Sequence, residues 1–166
     1  VRSRVSVGAE DKILNIEDQS SVNDYRDFLA ELYPDSVGEV DKYIHAMRKI
    51  MKMLDVLYGI DNPLFKDLKI DKDYIFKTLL PWLPRFIFTV GKINRLKLPF
   101  EIYLSKLLKD TSLIDIIGQH FFKGTPTFFA LSYFSLYLDY FYPKGGVGKI
   151  AHALENKISE FGGELM

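Results

Sequence analysis

Residues 140–150 have the sequence Tyr-Phe-Tyr-Pro-Lys-Gly-Gly-Val-Gly-Lys-Ile, and residues 161–163 are Phe-Gly-Gly. Aromatic residues lead into a proline, and three glycines follow within four positions. After them, apolar residues recur at helical spacing at Ile150, Leu154, Ile158 and Phe161. The pattern predicts an extended entry, a tight glycine turn and an amphipathic helix. Glycine permits positive φ and close approach of a ligand, which we expect at Gly146 or Gly148, and Gly162-Gly163 is expected to cap the helix.

The turn departs from two known phosphate-binding patterns. A P-loop would need glycine at Pro143 and Ser or Thr at Ile150, and a dinucleotide fingerprint would need glycine at Ala151. Free N–H groups at a helix N-terminus can still receive an anion. A ligand-facing turn and a tight turn without a ligand therefore both remain open.

The composition favours one domain, residues 1–166, with a substantial core. Hydrophobic residues make up 48% of the 166, including 13 Phe and 10 Tyr. The chain has no cysteine, which excludes disulfides, thiol catalysis and Cys-ligated zinc. Its net charge is zero, so nothing in the total suggests nucleic acid as a partner. No uninterrupted apolar run is long enough to predict a transmembrane helix.

The charges are unevenly distributed along the chain. Residues 76–125 carry 8 Lys and Arg against 3 Asp and Glu, whereas residues 1–75 carry 11 against 15. A segment that is both basic and apolar suits anionic lipid headgroups, and we expect a peripheral membrane contact through residues 77–109. A solvated basic face, packed on the long helix described below, is the alternative.

The first half of the chain predicts a hairpin followed by two helices. Residues 3–7 and 12–17 alternate weakly around a Gly-Ala-Glu-Asp turn, which favours a short β-hairpin. A helix is expected from Ser20-Ser21 to just before Pro34. Ser36 and Glu39 have capping-box spacing. A long helix should follow and end at Gly59, with an apolar stripe of Val37, Val40, Ile44, Met47, Met51, Leu54 and Tyr58.

The second half predicts further helices separated by prolines and glycines. Pro81 and Pro84 are expected to break or kink a helix that starts near residue 71. Helical patterns follow at residues 84–95, 98–109 and 111–122, the last with Ser112 and Asp115 at capping spacing. Gly124-Thr-Pro126 should start the next helix, with the Thr as cap. The predicted fold class is α+β and predominantly α-helical: a helix cluster with an N-terminal hairpin and a strand–glycine turn–helix unit near the C-terminus.

Catalytic motifs are scarce. His45, His120 and His152 lie far apart with no metal-binding spacing, so no metal site and no catalytic residue are predicted. Asp139 lies among aromatic residues, where burial would raise its pKa, but a solvated charge at a helix end is the simpler interpretation.

Aromatic residues are dense between positions 121 and 142. The predicted set is Phe121, Phe122, Phe128, Phe129, Tyr133, Phe134, Tyr137, Tyr140 and Tyr142. These rings could line an apolar pocket, an interface or an ordinary core, and the sequence leaves the choice open. As candidate substrate-binding residues we take Phe128, Phe129, Tyr133, Tyr137, Tyr140 and Tyr142.

Residues 141–155, followed by Phe-Gly-Gly-Glu-Leu at 161–165, resemble a known family. They are similar to the Tyr-Pro-x-Gly-Gly-x-Gly segment of the phytoene desaturase and carotenoid isomerase type of FAD-dependent oxidoreductases, within the amine-oxidase-type flavoproteins. In that family, the segment joins the substrate domain to the returning flavin domain. The order of the earlier helices is similar as well. The family's N-terminal Gly-x-Gly-x-x-Gly unit and its C-terminal flavin segment are absent from this sequence.

The resemblance implies the helical substrate-side domain of a longer flavoenzyme. It implies a lipophilic, polyene or isoprenoid-like substrate, with FAD held mainly by the rest of the parent enzyme. Gly145, Gly146 and Gly148 would lie on the flavin side. FAD is not expected to bind this chain alone, the isolated chain is expected to be inactive, and a cytoplasmic location with peripheral membrane contact is expected. The competing hypothesis is a non-enzymatic helical module that binds lipid or protein.

Overall fold

The computed structural model describes residues 2–7, 10–67, 69–139 and 142–164. These residues are mostly helical. The α-helices are α1 (Ser21–Leu32), α2 (Val37–Tyr58), α3 (Lys72–Tyr74), α4 (Leu80–Ile93), α5 (Phe100–Leu107), α6 (Thr111–Gly118), α7 (Thr127–Asp139) and α8 (Gly148–Glu160). A π-helical turn, Ile75–Leu79, joins α3 to α4, and short 3₁₀ turns cover Pro34–Ser36, Pro63–Phe65 and Asn94–Leu96.

Two short strands precede the helices. β1 (Arg2–Val7) and β2 (Glu10–Asn15) lie antiparallel, with Val5 opposite Lys12. They form the single sheet within the described residues, and it has two strands. A two-stranded pairing does not make a sheet layer. The fold is therefore predominantly α-helical, and the α+β label of the predicted class was too broad.

Helix α2 is the centre of the fold. It packs against α1, α4, α5 and α7. Its predicted stripe is buried in the middle, at Val40, Ile44, Met47 and Met51, while Tyr58 at its end is exposed. The buried face is wider than the stripe, because three more side chains are also buried: Tyr43, Ile50 and Met53. A helix contacted from several directions buries more than one narrow face.

The rest of the core comes from α1 and from the three helices α5, α6 and α7. Their most deeply buried side chains are Leu29, Phe100, Leu104, Leu113, Ile117 and Leu131. The starts of α5 and α7 are fastened together, since the Thr127 amide and hydroxyl both donate to the Leu98 carbonyl, at 2.9 and 2.6 Å. Thr127 is fully buried, so this pair of bonds satisfies its polar groups inside the core.

The cap predicted at the N-terminus of α2 differs from the observed contacts. Ser36 precedes α2 but makes no side-chain bond to the first turn of that helix. Glu39 is directed away from its own helix, and its Oε2 accepts hydrogen bonds from the amides of Lys109 and Asp110 at 2.7 and 3.1 Å. Long-range partners therefore replace the predicted capping box.

The predicted caps of α6 and α7 also differ from the observed contacts. Asp110, rather than Ser112, caps α6, and its Oδ1 accepts from the Ser112 and Leu113 amides. Thr125 does not cap α7, because its hydroxyl donates to the Phe122 carbonyl at 2.6 Å.

The two prolines of α4 do not end the helix at the positions where a break was predicted. Helix α4 runs from Leu80 through both Pro81 and Pro84 to Ile93. The irregularity lies one turn earlier, in the π-helical turn, where the Leu80 amide bonds the Ile75 carbonyl. Neither proline can donate a backbone hydrogen bond, and the π-helical turn directly before Pro81 is the place where α-helical geometry is interrupted.

The predicted strand before the glycine turn is wrong within the described residues. Helix α7 stays helical to Asp139, and Tyr142-Pro143 form no strand. Asp139 has its backbone described but not its side chain, while Tyr140 and Phe141 lie outside the described residues.

Helix α8 follows the turn and is closed by its two last glycines. Gly162 has φ of +77°, and its amide donates to the Ser159 carbonyl while the Gly163 amide donates to the Ile158 carbonyl. This pair of bonds is a complete Schellman cap, as predicted. No residue of α8 is buried.

Candidate functional site

An open groove of about 680 Å³ lies between the C-terminal half of α2 and helix α7. The lining residues are Asp18, Gln19, Met51, Leu54, Asp55, Tyr58, Gly59, Phe128, Phe129, Ser132, Ser135, Leu136 and Leu138. Its walls are therefore mainly apolar, and its volume falls in the range of small-molecule sites. We call it the α2–α7 groove.

Helix α7 divides the predicted aromatic set between two cavities. Phe128 and Phe129 line the α2–α7 groove. The exposed fraction of Phe129 is 48%. Tyr133 and Tyr137 line a second, much smaller cavity. Tyr142 is 77% exposed and lines neither one. The described members of the set therefore do not form one continuous pocket.

The second cavity, of about 70 Å³, is a tyrosine-rich part of the core. Tyr25 and Tyr43 meet edge to face at 6.4 Å, and Tyr133 meets Tyr137 in the same way at 5.1 Å. Burial raises the pKa of Tyr25 to about 12 and that of Tyr43 well above its ordinary value. Burial also lowers the pKa of His120. Burial thus favours the neutral form of all three side chains. The cavity therefore supplies hydroxyl groups and no charge.

Acidic residues stand at the rim of the α2–α7 groove. Asp18 and Asp55 are exposed there, on the loop before α1 and near the end of α2. Hydrogen bonds from Ser20 lower the pKa of Asp18, which keeps this carboxylate charged. Inside the groove, the Ser132 hydroxyl already donates to the Phe129 carbonyl at 2.8 Å. Sequence reasoning missed Asp18 and Asp55 because neither belongs to a motif.

The glycine turn has the backbone that it was predicted to have at Gly146. Gly145 and Gly146 have φ of +89° and +90°, whereas Gly148 begins α8 without positive φ. The Gly146 amide donates to the Pro143 carbonyl at 3.0 Å, and its own carbonyl accepts from the Lys149 amide at 3.1 Å. A Cβ at Gly145 would lie 3.1 Å from the Lys149 Cε, so this lysine packs over the turn.

The turn does not amount to a complete FAD site. A dinucleotide site is built on a strand, a glycine turn and a helix within a parallel sheet. No strand precedes this turn in the described part of the chain, and the hairpin is antiparallel. The residues present therefore do not fit FAD by themselves.

The histidines lie apart from each other. His45 is exposed on α2, and His152 Nδ1 lies 3.0 Å from Glu155 Oε2 on α8. In residues 2–7, 10–67, 69–139 and 142–164 there is no group of three or more His, Asp or Glu side chains placed to hold a metal ion. Among the same residues, no helix combines the length and apolar character needed to cross a bilayer.

No protein family, curated protein or solved structure matches the chain.

Proposed function

We propose that this chain is the helical substrate-side domain of a FAD-dependent oxidoreductase similar to phytoene desaturases and carotenoid isomerases. In this proposal, the α2–α7 groove binds the apolar chain of a polyene or isoprenoid-like substrate. The observation that carries the proposal is the α2–α7 groove itself, which is open, largely apolar, about 680 Å³ in volume and lined by aromatic residues on one wall. Sites of this size and composition suit lipophilic ligands.

The domain would bind and orient the substrate while the parent enzyme holds the flavin. Bound FAD would supply hydride transfer. The residues of this chain would exclude water from the apolar part of the substrate through Phe128 and Phe129. The rim carboxylates Asp18 and Asp55 would favour a substrate end that donates hydrogen bonds.

Helix α8 and the glycine turn would form the side that meets the rest of the parent. The apolar side chains of α8 and its ends are all exposed: Val147, Ile150, Leu154, Ile158 and Phe161. An amphipathic helix normally buries such a stripe. The flavin-binding part of the parent would cover it, with Gly145 and Gly146 close to the flavin side.

A non-enzymatic module that binds lipid or protein is the second candidate. The exposed apolar stripe of α8 favours it equally, because any apolar partner could cover that stripe. The full reading frame distinguishes the two. A dinucleotide fingerprint encoded upstream of Val1 supports the flavoenzyme, whereas a natural start at Val1 supports the module.

Ligand binding tests the groove directly. We expect retinol, a fluorescent polyene alcohol whose hydroxyl can donate to the rim carboxylates, to bind the chain and to be displaced by unlabelled polyenes. Ser135→Phe should narrow the groove and weaken binding about tenfold or more, because the new ring would occupy part of the space that the ligand uses. Ser105→Phe, on the exposed side of α5, is the matched control and should bind as the parent does. Equal binding by both variants would refute the groove as the site.

A further inference from the structure

Helix α4 has two apolar sides, and one of them faces the protein. Trp82 Nε1 donates to the Val56 carbonyl of α2 at 2.6 Å, and the Trp82 ring stacks on Phe86 at 4.4 Å. Thr89, two turns after Trp82, is buried on the same side. These contacts fix the helix on α2.

The other side of this helical segment is apolar and exposed. Phe76, Leu80, Leu83 and Ile87 follow one another at steps of three and four, and Phe88 lies beside them. Ile87 is 60% exposed and Phe88 is 73% exposed. A helix that is apolar on the side away from the core needs a partner there. We call this surface the α4 outer face.

Positive charge accompanies the α4 outer face, and no acidic residue lies between Tyr74 and Phe100. From Tyr74 to Phe100 the chain carries five basic residues and no Asp or Glu: Lys77, Arg85, Lys92, Arg95 and Lys97. Lys77 pairs with Asp73 at 2.7 Å, one helical turn earlier. The other four make no ion pair with any residue in the described ranges. They remain available to anions outside the chain.

We propose that the α4 outer face is a peripheral membrane-binding surface that selects anionic lipid. The helix would lie in the plane of the interface, with Ile87 and Phe88 inserted among the acyl chains. Around the helix, Arg85 lies about 160° from Ile87 and about 60° from Phe88, and Lys92 lies about 140° and about 40° from the same two residues. Both basic side chains would therefore flank the inserted residues and reach the headgroups. The uniform positive sign favours an anionic bilayer over a protein partner, since protein interfaces mix both signs and deplete charge at their centre. This inference goes beyond the proposed function and does not depend on flavin chemistry.

Vesicle sedimentation of the full chain tests the inference. We expect binding to phosphatidylcholine vesicles that contain about 30% phosphatidylserine, much weaker binding to phosphatidylcholine alone, and loss of binding as salt rises toward about 0.5 M. The double variant Ile87→Ser with Phe88→Ser and the double variant Arg85→Glu with Lys92→Glu should each reduce the partition coefficient about tenfold or more. All four side chains are exposed, so these variants should keep the fold, which far-ultraviolet circular dichroism will verify.

The matched control is Phe122→Ser with Lys123→Glu, which removes an exposed ring and a positive charge outside this helix. It should bind vesicles as the parent does. A second measurement uses Ile87→Trp, whose added fluorescence should be quenched by brominated acyl chains. Absence of binding at low salt, equal losses in the control variant, or no quenching at position 87 would overturn the proposal. Self-association lost in the Ile87 and Phe88 variant, without vesicle binding, would instead identify a second copy as the occupant.

Discussion

The Ser36 hydroxyl donates a hydrogen bond to Asp110 Oδ2 over 2.7 Å, although the two residues are 74 positions apart in the chain. The other oxygen of the same carboxylate accepts from the Ser112 and Leu113 amides and so caps α6. One side chain therefore joins the start of α2 to the start of α6. Tyr33 adds a further link, since its hydroxyl lies 3.2 Å from the Ser112 carbonyl.

Asp110→Ala should destabilise the fold, because it removes a helix cap and leaves Ser36 without its acceptor. Asp110→Asn should cost less, since the amide oxygen can still cap α6. Urea unfolding measures both. Asp115→Ala, on the exposed side of the same helix, is the control and should change the free energy of unfolding little. Equal effects at positions 110 and 115 would contradict this role for Asp110.

The contacts between the starts of α2 and α6 also predict that the stability of the fold depends on pH. The amides of Lys109 and Asp110 lower the pKa of Glu39, and the Ser36 hydroxyl followed by the Leu113 amide lowers the pKa of Asp110. A carboxyl whose folded pKa is lowered stabilises the fold above its unfolded pKa, and that contribution is lost as pH falls through the folded value. Stability should therefore decline below about pH 4, the ordinary range of these groups.

Glu39→Gln tests this dependence. The free energy of unfolding of this variant should fall less between neutral and acidic pH than that of the parent, and the two curves should approach each other at low pH. Asp24→Asn, an exposed acid-to-amide substitution on α1, is the matched control. Parallel curves for Glu39→Gln and the parent would exclude a contribution from Glu39.

The glycine turn should reject a β-branched residue at Gly146 more strongly than at Gly148. Gly146→Val places a branched side chain at φ of +90° and should cost more than about 1 kcal/mol, whereas Gly146→Asn should be milder. Gly148 lies at the start of α8 without positive φ, so Gly148→Ala should be neutral or stabilising. Because no residue of α8 is buried, the loss of stability will be confined to the turn and this helix. It can be measured as faster hydrogen exchange of the α8 amides. Equal hydrogen-exchange protection in all three variants would contradict the requirement for glycine at position 146.

The isolated chain should not retain FAD. The described residues lack the strand–turn–helix that would hold its pyrophosphate. Purified protein should show no flavin absorbance, and calorimetric titration with FAD should show no low-micromolar binding. Such binding, if lost in Gly146→Val, would locate a cofactor site in this turn.

The helices whose periodicity was regular could be predicted from sequence. Residues 37–58 keep one apolar stripe for six turns, and α2 matches that interval and ends before Gly59. Polar pairings could not be predicted in the same way. Ser36 and Glu39 satisfy a local capping rule, but acceptors and donors near residue 110 compete for them, and sequence spacing contains no information on contacts so distant.

The faces of α7 were also beyond sequence reasoning. Aromatic residues occur all round this helix, so no stripe indicates which side is core. In the structure both sides are used, with Phe129 on the α2–α7 groove and Tyr133 on the tyrosine-lined cavity. The rim residues Asp18 and Asp55 come from separate elements, and only the tertiary fold brings them to one groove.

Helix α8 is closed at its C-terminus by two backbone bonds although none of its residues is buried. A 13-residue helix is short for independent stability in water, and the bonds of the glycine turn and of the cap satisfy backbone groups at its two ends. A partner would then meet a surface that is already shaped, and association would not have to order a disordered segment. The heat-capacity change of this association should correspond to the apolar area of one helix face alone. The association rate constant should be that of two rigid bodies, because no segment has to fold on binding.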